Sequence, residues 1–142
     1  FSSLKNLKRL SLQFNSLKRI TRKHFSKALE NLEYINISNN ILKNIEDYSF
    51  IHLKKLNKLN LSNNRIKKLS PLLFQGIENS IIQIKLHRNR IKYLPNDIFS
   101  SLTKLKEYTL YDNIWFKDKY TSNSLIFHPI NRTAKCVEKD VD

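Results

Sequence analysis

The chain of 142 residues carries 26 Lys plus Arg against 12 Asp plus Glu, a formal charge of +14, with one cysteine, one glycine and no methionine. One cysteine excludes an internal disulfide framework and a sulfur-rich zinc site, and no run approaches the ~18 continuous apolar residues that a membrane-spanning helix requires. The length suits a single domain.

In chain order, the opening segment Phe1-Ser2-Ser3-Leu4-Lys5-Asn6-Leu7 lines up with Phe99-Ser100-Ser101-Leu102-Thr103-Lys104-Leu105. The chain is therefore expected to start in mid-repeat, as a fragment whose first edge, at Leu7, Leu10 and Leu12, is uncapped. The first frame of the form L-x-x-L-x-L-x-x-N is Leu7, Leu10, Leu12, Asn15. It recurs as Leu32, Ile35, Ile37, Asn40; as Leu56, Leu59, Leu61, Asn64; as Ile81, Ile84, Leu86, Asn89; and as Leu105, Tyr108, Leu110, Asn113. After each of the first four asparagines, apolar residues follow two and five places on, and a phenylalanine follows at ten: Phe25, Phe50, Phe74, Phe99.

Each frame predicts a short strand, at about 9–11, 34–36, 58–60, 83–85 and 107–109, because alternate side chains of a strand point to opposite faces and the framed aliphatics then turn inward. One coil cannot bury its own apolar face, whereas stacked coils share a continuous core. The turn after each strand buries backbone groups that have no ladder partner, which is costly. The inward amides of Asn15, Asn40, Asn64, Asn89 and Asn113 are suited to satisfying them, each bridging to the next coil, while the phenylalanines stack as a second, convex spine.

With this consensus in hand, residues 1–116 resemble the leucine-rich repeat proteins, most closely the 24-residue class with a phenylalanine spine found in Slit-type guidance proteins, Toll-like receptors and small leucine-rich proteoglycans. The resemblance implies an α/β fold, a right-handed solenoid or horseshoe with a parallel sheet on its concave face.

Residues 117–142 read as a degenerate C-terminal cap and tail. Asn113-Ile114-Trp115-Phe116-Lys117-Asp118-Lys119 is similar to the N-P-W-x-C-D-C start of the cysteine-rich cap of extracellular members, but isoleucine replaces proline and two lysines replace the cysteines. Cys136 then has no second cysteine in this sequence with which to form a disulfide. Trp115, Phe116, Leu125, Ile126 and Phe127 are expected to cover the last coil by packing, with a poorly ordered tail from about Asn131.

The outward strand positions are where members of this family usually bind protein ligands. Here they include Arg9, Ser11, Gln13 and Phe14; Tyr34, Asn36, Ser38 and Asn39; Lys58, Asn60, Ser62 and Asn63; Gln83, Lys85, His87 and Arg88; and Glu107, Thr109, Tyr111 and Asp112. Phe14 and Tyr34 form an aromatic end, Lys58, Lys85, His87 and Arg88 a basic middle, and Glu107 and Asp112 an acidic end around Tyr111. Aromatic and arginine side chains dominate many interfaces, although outward aromatics also serve as cross-strand packing partners.

The net charge has two readings. A composition rich in Asn, Lys and Ile follows from an A/T-biased genome without any selection for binding. Alternatively, Lys18, Lys43, Lys67 and Lys92, each three residues after a framed asparagine, align in one flank column suited to a polyanion such as a sulfated glycan. Like charges about 5 Å apart repel by only about 0.8 kcal/mol in water, so a column of this kind is tolerable as a solvated face.

Catalysis is not expected. His24, His52, His87 and His128 share no register, and phosphate-loop, nucleophile-elbow and zinc-protease motifs are absent. No cofactor or metal is implied. Three glycosylation triplets, starting at Asn36, Asn60 and Asn131, are common by composition, and Asn131 is the most plausible acceptor.

The reading is therefore a protein-interaction module with a rigid concave surface, part of a receptor ectodomain or secreted adhesion protein, extracellular or at the cell surface. A glycosaminoglycan-binding module and an intracellular scaffold are the alternatives. Nucleic acid is not expected as a partner, and a membrane enters only through segments outside this sequence.

Overall fold

The computed structural model describes residues 4–95, 97–114 and 134–137. Its strands are β1 (Arg9–Ser11), β2 (Arg19–Ile20), β3 (Tyr34–Asn36), β4 (Asn44–Ile45), β5 (Lys58–Asn60), β6 (Gln83–Lys85), β7 (Glu107–Thr109) and β8 (Lys135–Val137). Six of them form one sheet in the order β1-β3-β5-β6-β7-β8, and every neighbouring pair is parallel. The first five coincide with the strands expected from the asparagine frame. Parallel neighbours joined by crossover connections make a right-handed solenoid, the hand such connections adopt almost without exception.

The register explains the core. Leu10, Ile35, Leu59, Ile84 and Tyr108 are successive Cα partners across the sheet, so one inward residue of each coil stacks on the same residue of the next. From the second coil onward this stack is buried. Tyr108 occupies an aliphatic place by packing its ring 4.7 Å from that of Phe99. The four phenylalanines are buried on the opposite side, with Phe25 and Phe50 centred 5.6 Å apart and Phe74 and Phe99 5.9 Å apart. Tilted aromatic pairs at these distances add attraction beyond burial. Turns and one 3-10 element at Lys27–Leu29 run along this convex side, with no α-helix among the described residues.

The asparagines bridge backward, not forward. Asn64 accepts from the Leu42 amide at 3.0 Å and donates to the Ile37 carbonyl at 3.0 Å, both in the preceding coil, and to its own Leu61 carbonyl at 3.2 Å. Asn40, Asn89 and Asn113 repeat the pattern on Leu17, Ile66 and Ile91. Asn15 has no coil behind it among the described residues, keeps only the bonds to its own Leu12 and Gln13 carbonyls that the inner asparagines also make within their coils, and is exposed. The expectation of a buried Asn15 and of bridges to the following coil is corrected accordingly.

The chain also departs from expectation near its end. Lys135–Val137 forms a sixth strand, with Glu107, Tyr108 and Thr109 facing Lys135, Cys136 and Val137, and the Lys135 amide donates to the Lys106 carbonyl at 2.7 Å. A parallel edge of unpaired amides and carbonyls is a strong template for a further strand, and Cys136 takes the inward place beside Tyr108, packed against the core. The expected tail from Asn131 thus contains ordered backbone. Trp115, Phe116, Leu125, Ile126, Phe127 and Asn131 lie outside the described residues.

On the flank after each asparagine, β2 and β4 form a small parallel sheet, and the Lys43 amide donates to the Lys18 carbonyl at 3.0 Å. One backbone feature recurs just before each asparagine: Phe14, Asn39, Asn63, Arg88 and Asp112 all have φ between 52° and 57°. Left-handed geometry ends each strand and turns the chain onto the flank. Asn and Asp tolerate it, whereas Phe14 and Arg88 are strained there.

Candidate partner-binding surfaces

Strands of this sheet lie about 4.8 Å apart, and the length of the outward side chains divides the concave face. In the second and third coils it is closed by polar side chains. Asn36 is buried, donating to the Gln13 Oε1 atom at 2.8 Å and accepting from the Ser38 amide at 3.0 Å. Asn60 accepts from both the amide and the hydroxyl of Ser62, at 3.0 and 2.7 Å. Ser38, Ser62 and Thr109 are buried as well. These positions belong to the strand face but do not project, contrary to their assignment as open-face residues. They are too short to rise above their neighbours and find partners within the sheet.

The longer side chains do project, and they do so at two places. At the N-terminal end the Arg9 guanidinium lies 4.4 Å from the centre of the Tyr34 ring, a cation–π arrangement, and Phe14 is 76% exposed. Lys58 is exposed next to Tyr34 in the same row.

At the C-terminal end the side chains form a linked cluster. The His87 and Tyr111 rings stack with centroids 4.4 Å apart and planes 16° from parallel. The His87 Nδ1 atom is 2.7 Å from the Thr109 hydroxyl. Arg88 Nε donates to Asp112 at 3.4 Å, and Gln83 donates to Glu107. Lys85 is half-buried beside them. Burial pushes the His87 pKa down, and the nearby Lys85 and Arg88 charges push it further, with Asp112 opposing. Arg88 and Asp112 join the basic middle of the face to its acidic end.

Lys18, Lys43, Lys67 and Lys92 are all exposed on the flank. Arg65 and Arg90 are exposed there too, one residue after the framed asparagine, a column that the three-residue register overlooks. The signal was available in the alternation around buried Ile66 and Ile91. Further along the flank, Glu46 is held below the usual carboxylate range chiefly by the Arg22 amide, 2.9 Å from one oxygen, and also by the Arg22 side chain.

The family model described as Leucine rich repeat matches residues 30–80 and 55–113, and a two-copy leucine-rich repeat model matches 5–50. The chain belongs to the leucine-rich repeat family. No curated protein matches it by sequence. Among solved structures it is similar to a chain of the "TLR13-ssRNA13 complex" crystal structure, with a TM-score of 0.72 and 27% identity over 79% of this chain. The match spans only 15% of that longer chain.

Leucine-rich repeats form a family of protein-interaction scaffolds. Among the described residues, no group of three or more His, Cys, Asp and Glu is placed to hold a metal ion. His24 bonds to Thr21 within its own turn, at 2.9 Å to the amide, and His52 is exposed on the convex side. No helix among the described residues is long and apolar enough to cross a membrane.

Proposed function

We propose that this leucine-rich repeat protein is an interaction module of a receptor ectodomain or secreted adhesion protein, and that it binds a protein ligand through the concave face. The observation that carries the proposal is the His87–Tyr111 stack bordered by Lys85 and the Arg88–Asp112 pair. It is an aromatic platform with directional polar groups at its rim, held in place by contacts between adjacent coils. Preformed side-chain positions lower the ordering cost of binding. Arg9, Tyr34, Phe14 and Lys58 supply a second contact area at the other end of the face, and Glu107 borders the first. The coils between them, closed by Asn36, Ser38, Asn60 and Ser62, act as a spacer.

The test compares ligand capture from an extracellular protein pool by the chain and by Tyr111→Ala, Lys85→Ala and His52→Ala, with melting transitions recorded alongside. A ligand retained by His52→Ala and lost, by thirtyfold or more in affinity, with Tyr111→Ala supports the reading, since truncating a hot-spot residue costs about 2 kcal/mol or more. Retention by both concave variants with loss in the convex one overturns it. Because the similar TLR13 chain was solved with ssRNA13, single-stranded RNA belongs in the same assay as a competitor. Displacement of the protein ligand from the concave face by RNA would reassign the partner class.

A further inference from the structure

The flank carries more charge than its lysine column alone. Residues 16–20, 41–45, 65–69 and 90–94 are the equivalent segments that follow the first four framed asparagines, and together they hold eight basic residues and no acidic one. Eight in 20 positions is about twice the density of 26 in 142, so a compositional bias acting evenly along the chain does not produce the concentration. Within each segment the second residue points inward: Leu17 is half-buried, and Leu42, Ile66 and Ile91 are buried. The residues on either side are thereby turned outward, as alternation in an extended chain requires.

The charge is densest in the third and fourth coils, where Arg65, Lys67, Lys68, Arg90 and Lys92 are all exposed. Their backbone is tied coil to coil: the Arg65 amide donates to the Leu42 carbonyl and the Arg90 amide to the Ile66 carbonyl, each at 2.8 Å. The cations therefore sit on a fixed track with a repeat of about 5 Å, the spacing of stacked strands. Lys43, Lys18 and Arg19 continue it to the first coil.

We propose that this flank binds a sulfated glycan chain running along the solenoid axis, independently of the concave protein site. A linear polyanion meets one to three cations per coil and gains from counterion release along the whole track. Single-stranded nucleic acid is the competing occupant, but its binding relies on a series of aromatic platforms between the cations. Among the described residues the flank offers one exposed aromatic, Tyr93, where the equivalent places hold Arg19, Asn44 and Lys68.

The experiment measures elution from immobilised heparin, and titrations with heparin at several salt concentrations. The variant Arg65→Gln, Lys67→Gln, Lys68→Gln, Arg90→Gln is compared with a control in which four exposed lysines elsewhere, Lys23, Lys27, Lys54 and Lys104, become Gln. The band variant should elute at distinctly lower salt than the control, and its salt slope should fall by about 0.7 for each cation removed, the value for flexible single strands. The charge-retaining pair Arg65→Lys, Arg90→Lys should elute near the unchanged chain. Equal elution of the two quadruple variants would leave only net charge and overturn the proposal. So would tighter binding of poly(U) than of heparin that is lost with Tyr93→Ala, because the occupant would then be a nucleic acid.

Discussion

His87 and Tyr111 occupy equivalent places two residues before the framed asparagines of consecutive coils, and their rings stack 4.4 Å apart. The stack covers an imidazole whose pKa burial lowers below its ordinary value of 6.5.

That depression has a consequence for stability. Above the unfolded pKa, near 6.5, both states leave His87 neutral and the contribution is fully present. As pH falls below it, the unfolded chain takes up a proton that the folded chain resists, and stability is lost until the folded pKa is passed. The melting temperature should drop more between about pH 7.5 and pH 5 in the unchanged chain than in His87→Phe, which keeps a stacked ring without a titrating group. Equal drops in the two would show that His87 is not responsible.

The backward bridges predict unequal costs for identical substitutions. Asn64→Ala leaves the buried Leu42 amide without its acceptor, while the Ile37 and Leu61 carbonyls keep the donors supplied by Asn40 and Asn89, and denaturant unfolding should report a loss of about 1–3 kcal/mol. Asn15→Ala, at an exposed position bonded only within its own coil, should cost less than about 0.5 kcal/mol. A similar loss at both positions would mean that the inter-coil bonds contribute nothing.

Gly76 should tolerate no side chain. Its φ is +100°, and an added Cβ would lie 2.5 Å from both the Cα and the carbonyl oxygen of Ile51 in the preceding coil. Those are backbone atoms and cannot swing aside. Gly76→Ala should destabilise by about 3 kcal/mol or more, combining left-handed strain with overpacking, measured as a shift in denaturation midpoint. A neutral result would mean that the turn relaxes away from Ile51.

At Phe14 the same geometry offers a gain. The residue is 76% exposed with φ 57°, a place where two other coils carry asparagine. Phe14→Asn should stabilise by about 1 kcal/mol by relieving left-handed strain, raising the melting temperature. A lower melting temperature would show that the exposed ring contributes packing that outweighs the strain.

Much of this protein is legible in its sequence because the determining pattern is local and repeated. Residues such as Leu59 and Ile84 recur in one frame, so strand positions, inward faces and the buried phenylalanines follow from alternation and stacking, whichever coil comes next. What the tertiary structure alone decided depends on which neighbour each residue meets. The direction of the asparagine bridges, and hence the exposure of Asn15, follows from which coil lies behind it. Asn36 and Ser38 look outward by alternation yet are sealed, because the Asn36 amide bonds across to Gln13 and back to the Ser38 amide. His87 stacks on a tyrosine 24 residues away, and Lys135–Val137 joins the sheet with no framed leucine to announce it. In each case the cause is proximity between segments far apart in the chain: hydrogen-bond satisfaction, desolvation and an open strand edge act on distance in space, which a periodic pattern encodes only for residues that share its register.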